Sequence, residues 1–215
     1  SEYKTENTNA EISSVIGYLS KLNLNKKNIQ NKDNYFLTPK LLLRYAPGHM
    51  RNIDGGRLKY TNLFKINKVN EFDVLENGLS ASLGFDFKKN KIKEDGSLDQ
   101  EKFSISMGQV INAEENMDMP SSTSLDQRFS DIVGESSFRF NNSTKFKYDF
   151  SIDQSYKEIN YSEIGADINI NDSTKFNISY LEEKNHIGQQ EYVKSDVNFE
   201  IGESNSLAFS TKRNL

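Results

Sequence analysis

The chain has 215 residues, with 27 Lys and Arg against 31 Asp and Glu and a formal net charge of -4, so it offers no basic footprint for nucleic acid. It contains no cysteine, which removes disulfides, zinc-thiolate sites and cysteine nucleophiles together. Only 35% of the residues are hydrophobic, low for a protein that must fill a solid core but expected where half of every strand lines water.

Residues 1–34 are polar and rich in Asn and Lys around one apolar patch, Ile12 to Leu24, which fits neither period cleanly and reads as a strand or a short helix, with strand preferred. Phe36 to Ala46 is a second strand, with Leu37, Leu41, Leu43 and Tyr45 on one side, Pro39 near its start and Pro47-Gly48 ending it. A long connection follows, about 48–77, too long for a simple link in a compact domain and therefore expected to be functional or folded inward. Leu79 to Lys89 alternates Leu79, Ala81, Leu83, Phe85 and Phe87 with Ser80, Ser82, Gly84 and Asp86, before a turn at Asp95-Gly96. Phe103 to Gln109 is the next strand, and a second long loop, about 112–132, carries Glu114, Glu115 and Asp118.

From Val133 onward the sequence nearly repeats itself. Asn142-Ser143-Thr144-Lys145-Phe146 returns as Asp172-Ser173-Thr174-Lys175-Phe176 and, more loosely, as Ser204-Asn205-Ser206-Leu207-Ala208-Phe209. The spacing of roughly thirty residues suits two strands with a turn and a loop, so one hairpin is reused. Within it Phe146, Tyr148, Phe150 and Ile152 alternate with Lys147, Asp149, Ser151 and Asp153, and Ile164, Ala166, Ile168 and Ile170 alternate with Gly165, Asp167, Asn169 and Asn171.

A soluble sandwich would show the same alternation, but the connections discriminate. Short turns at 141–143, 171–173 and 203–205 alternate with longer polar loops at 154–160 and 182–191, as in an up-and-down barrel of the outer membrane. The expected fold is all-β: an antiparallel up-and-down transmembrane β-barrel wall, a partial barrel of roughly nine or ten strands, with residues 1–215 part of a single barrel domain. Asp149, Ser151, Asp167 and Asn169 are expected to face the lumen, and Phe150, Ile152, Ile164 and Ile168 the lipid. No window approaches the 18 or so consecutive apolar residues of a membrane helix. With neither a signal-peptide layout nor an initiator Met at its start, the chain reads as a piece of a longer protein whose secretion signal lies upstream.

Little in the chain reads as catalytic. His49 and His186 lie in separate loops without a partner at metal-ligand spacing and are expected to face solvent. No nucleophile elbow, phosphate loop or zinc-protease motif occurs. Glu114, Glu115 and Asp118 lack the alternation and central Gly of a calcium loop and read as a solvated acidic segment. The expectation is a protein that is not an enzyme, with no catalytic residue, cofactor or metal site.

Asn62-Leu63-Phe64, Asn67-Lys68, Asp73, Glu76, Gly78 and Gly84 resemble a stretch in the barrel domain of the outer-membrane lipopolysaccharide-assembly proteins, the LptD family. Pro120-Ser121-Ser122 followed by Ser130-Asp131-Ile132-Val133-Gly134 resembles that family's loop-to-strand segment, and Lys212-Arg213-Asn214-Leu215 is similar to its "RRNL". The likeness runs from about residue 36 to the end. Val69-Asn70-Glu71 and Val74 depart from the family pattern, and its cysteines are missing. The resemblance implies an integral outer-membrane translocon that receives lipopolysaccharide from a periplasmic bridge, carries a plug lipoprotein and releases its cargo into the outer leaflet. A passive porin-like channel and a soluble β-rich adhesin or binding module are the competing readings.

Overall fold

The computed structural model describes residues 14–53, 55–69, 74–201 and 205–215. They form one antiparallel sheet of eleven strands: β1 (Ile16–Lys21), β2 (Leu24–Asn28), β3 (Asp33–Ala46), β4 (Gly78–Ile92), β5 (Leu98–Asn112), β6 (Ile132–Arg139), β7 (Thr144–Ile152), β8 (Ile159–Asn171), β9 (Thr174–Glu183), β10 (Gln190–Ile201) and β11 (Asn205–Asn214). From β3 each strand pairs with the next in sequence, and β1 and β2 both pair with β3, so the sheet has ten staves in up-and-down order. The sheet is open, as in a partial barrel, with β1 and β2 along one edge and β11 along the other. The first thirteen residues of the polar leading segment lie outside the described residues.

Pro39 sits in the middle of β3, flanked on both sides, rather than near the strand's start as the sequence suggested. It cannot donate to a ladder, and the neighbouring stave is interrupted opposite it, at Leu22 and Asn23 between β1 and β2. The carbonyl of Pro39 still accepts from Leu22 N at 3.1 Å, and Thr38 Oγ1 donates to Asn23 Oδ1 at 3.1 Å.

The recurring short turns have a side-chain cause. Asn141 Oδ1 accepts from Ser143 N at 2.8 Å and Asn171 Oδ1 from Ser173 N at 3.0 Å, each carboxamide closing its own turn two residues on. Asp95 does the same for Ser97 N at 2.8 Å. The third copy of the repeat has its turn, 202–204, outside the described residues.

The two long connections do not extend away from the sheet. The β3–β4 loop, with the single helical turn α1 (Tyr60–Leu63), and the β5–β6 loop, with a 3-10 turn at Ser121–Thr123, lie against one face of β3 to β6. There they build an apolar cluster of Met50, Ile53, Leu58, Tyr60, Leu63, Val69, Met119 and Leu125 over Val110 and Val133 of the sheet. Ile53 N donates to Asp118 O at 3.1 Å, joining the loops directly. The opposite face stays bare: Leu43, Tyr45, Leu79, Leu83, Phe146, Ile164, Ile170 and Phe209 are exposed.

Candidate functional site

The β3–β4 loop is seated by residues of three kinds. Asn62 in α1 uses its whole carboxamide, donating to Arg57 O at 3.1 Å and Lys68 O at 3.0 Å and accepting from Lys59 N at 2.8 Å. Leu63 and Phe64 then press onto the strands at the only residue type that leaves room. A side chain at Gly108 would collide with Leu63 Cδ2 and the Leu83 carbonyl, and one at Gly84 with the Met107 carbonyl and, at 3.1 Å, the Phe64 ring. The third tie is ionic: Arg44, Lys68 and Glu76 are 1%, 1% and 3% exposed. Lys68 Nζ stands 3.2 Å from Glu76 Oε1, Arg44 Nη1 lies 3.9 Å from the same oxygen, and Arg44 Nε donates to Ile66 O at 2.6 Å and Nη2 to Glu76 O. Burial holds the Lys68 amine below its ordinary range against the opposing pull of Glu76.

Asn62, Leu63, Phe64, Asn67, Glu76 and Gly84 are thus one physical unit, the loop and its landing site. Asn67 Nδ2 closes the loop by donating to Val74 O at 2.9 Å. Gly78 opens β4 with φ +90, a backbone geometry that other residues adopt at a cost. Asp73 lies outside the described residues.

Beneath α1 is a polar chamber of about 510 Å³ lined by Tyr60, Thr61 and Phe64 above and by Lys40, Asp86, Ser106, Glu135, Lys147 and Asp149 below, among others. Tyr60 OH donates to Asp86 Oδ1 at 2.5 Å and Lys40 Nζ pairs with Asp86 Oδ2 at 2.5 Å, so the roof is tied to the floor at one corner. Burial and the Asp86 carboxylate hold the Tyr60 phenol protonated well above its ordinary range. The floor is layered by strand register. Asp86, Ser106, Glu135, Asp149 and Glu163 stand side by side across β4 to β8, and one level further from the loops Lys88, Ser104, Ser137 and Lys147 form the next row.

The second motif makes a separate cluster. Ser130 Oγ accepts from Val110 N at 2.9 Å and donates to Asp131 O at 2.8 Å, and Asp131 N donates to Ser124 Oγ at 2.7 Å. The buried Asp131 carboxylate takes Ser151 Oγ at 2.7 Å and Asn160 Nδ2 at 2.9 Å on one oxygen, which also meets His186 Nε2 at 3.1 Å. His186 is therefore not the solvent-facing residue the sequence suggested: the β9–β10 loop folds back so that its imidazole reaches a buried anion. That contact raises its proton affinity, with burial opposing and Asp153 and Asp126 adding attraction. Ile132 begins β6, and Gly134 pairs with Phe150, whose ring covers it.

The register puts Asp149, Ser151, Asp167 and Asn169 on the loop-bearing face, and Phe150, Ile152, Ile164 and Ile168 on the other. The four polar residues are not equivalent. Ser151 is buried against Asp131, Asp149 belongs to the chamber floor, and Asp167 pairs with Lys147. The sequence reading missed Arg44, Arg57 and the tie between Tyr60 and Asp86. The available signal was in β3, where Lys40 and Arg44 put two charges in phase with Leu42 and Ala46 on the inward positions.

A search of curated proteins finds no match for this chain. The family model described as LPS transport system D matches residues 9–208, nearly the whole chain and both clusters. The family acts in lipopolysaccharide transport and assembly at the outer membrane and is not known as an enzyme. On that match the chain belongs to the LptD family.

Proposed function

We propose that this chain is wall of a single outer-membrane barrel domain that receives lipopolysaccharide from the periplasm and delivers it to the outer leaflet. Its loop-bearing face borders an aqueous interior and its bare apolar face meets acyl chains. The observation that carries the reading is the division of the sheet: charged and hydroxyl rows with docked loops on one side, exposed Leu, Ile, Phe and Tyr on the other. A sheet packed in water would cover that second side. An amphiphile with a sugar head and apolar tails needs both surfaces at once.

In hydrocarbon the edges at β1 and β11 must be paired, by each other or by further strands, because open backbone groups are not tolerated there. The partners that fit are lipopolysaccharide, outer-membrane lipid, a plug lipoprotein within the interior and a periplasmic bridge that supplies the cargo.

The test uses photoreactive side chains in the full-length protein in membranes, one at Asp167 and one at Ile168. Adducts with lipopolysaccharide at position 167 and with phospholipid tails at position 168 are expected. Adducts with protein alone at position 168 would overturn the face assignment. A large steady conductance of the reconstituted protein with its plug partner in place would favour the passive-channel reading instead.

A further inference from the structure

The β3–β4 loop is held differently on its two sides. Toward β3 and β5 the attachment is buried: Leu63 on Gly108, and Lys68 and Glu76 with Arg44. Toward the far side the described residues provide a polar reach by Arg57. Its guanidinium carbon lies 3.6 Å from the centre of the Tyr161 ring, and Nη1 stands 2.9 Å from Glu183 Oε1, with both charged side chains partly open to water. Tyr161 is on β8 and Glu183 ends β9, so the loop crosses over β6 and β7 to make these contacts. The segment between, with Tyr60, Thr61 and Phe64, covers the polar chamber.

We propose that residues 55–69 form a hinged roof: permanently seated on β3 to β5, and latched to β8 and β9 by Arg57, so that release of Arg57 opens the chamber toward β9, β10 and β11. The contrast in contact chemistry supports this division. The Arg57 and Glu183 side chains keep 17% and 16% of their surface in water against 0% and 4% for Lys68 and Glu76, so parting the first pair returns two charges to solvent, whereas lifting Lys68 from Glu76 would strand three. The covering loop donates both the seat and the latch. Beside Arg57 an exposed bond from Ser122 Oγ to Gly56 O at 3.0 Å holds it to the β5–β6 loop. Arg57 is the contact that ties it to β8 and β9 and separates the polar rows of β4 to β8 from the open polar face beyond them. What passes through the opening rests on the transport reading; the motion itself does not.

Hydrogen exchange read by mass spectrometry on the full-length protein in lipid nanodiscs tests it. Arg57→Ala is expected to raise exchange several-fold in peptides covering 55–58 and 183–189, while peptides containing Leu63 and Val110 keep their protection. Arg57→Glu and Glu183→Arg singly should do the same, and the double charge swap should restore protection. Unchanged exchange in Arg57→Ala, or loss of protection at Leu63 together with 55–58, would overturn the hinge. Lipopolysaccharide delivery measured on the same wild-type sample separates this from the transport reading, since failed delivery with latch-dependent exchange would sink only the latter.

Discussion

The Phe150 ring lies across Gly134, filling the space that a side chain there would occupy, and is 8% exposed as a result. The two are cross-strand partners on the bare face, so one residue's missing Cβ makes the seat for the other's ring. A Cβ at position 134 would also approach the Ser106 carbonyl at 2.8 Å, and that backbone cannot swing aside. Gly134→Ala is therefore expected to destabilise the sheet by about 1–3 kcal/mol, the usual range for forced overpacking. Urea unfolding of the refolded full-length protein checks it; an unchanged midpoint would contradict the close fit.

The face assignment gives a paired test at adjacent positions. Ile168→Arg should cost about 2–4 kcal/mol if the residue lies near the bilayer midplane, and Asn169→Arg should be tolerated. Folding efficiency into vesicles measures both. Equal penalties would mean that the two faces meet similar surroundings.

Among the described residues Glu76 is the anion between two buried cations. Glu76→Gln should destabilise the loop by about 3–5 kcal/mol, because Arg44 and Lys68 are left uncompensated. The loss should lessen in alkaline buffer, since burial already lowers the Lys68 pKa and the neutral amine needs no partner. Limited proteolysis within 48–77 reports it, with faster cleavage expected in the variant.

His186 supplies a pH dependence. Folding raises its pKa through Asp131, so the stabilising tie is fully present below the ordinary histidine value of 6.5 and is lost as pH rises through the higher folded value. Protection of the 184–189 loop relative to His186→Gln at the same pH should be largest in acid and vanish in alkali. A difference independent of pH would show that the imidazole acts by packing alone.

The strands were legible because their period is local: Phe146 to Ile152 and Ile164 to Ile170 announce two faces wherever they sit. The length of the 48–77 connection signalled a functional or inward-folded loop without choosing between the two. What they touch was not legible. Arg57 and Glu183 are separated by 126 positions, and nothing near either one marks the other. The resemblance named Asn62, Glu76 and Gly84, but only the fold shows that they act through a helical turn, a buried ion and a close backbone approach. His186 was misjudged for the same reason. Its partner Asp131 belongs to another loop, brought near by the pairing of four intervening strands, β6 to β9.

Pro39 interrupts one margin of this sheet without a slip. The stave opposite resumes on the far side of the gap with its partners in phase, Lys21 against Lys40 and Leu24 against Leu37. With no amide hydrogen on Pro39 that line is one cross-link short, so the margin can flex like a hem while the two faces keep their alternation on either side of it.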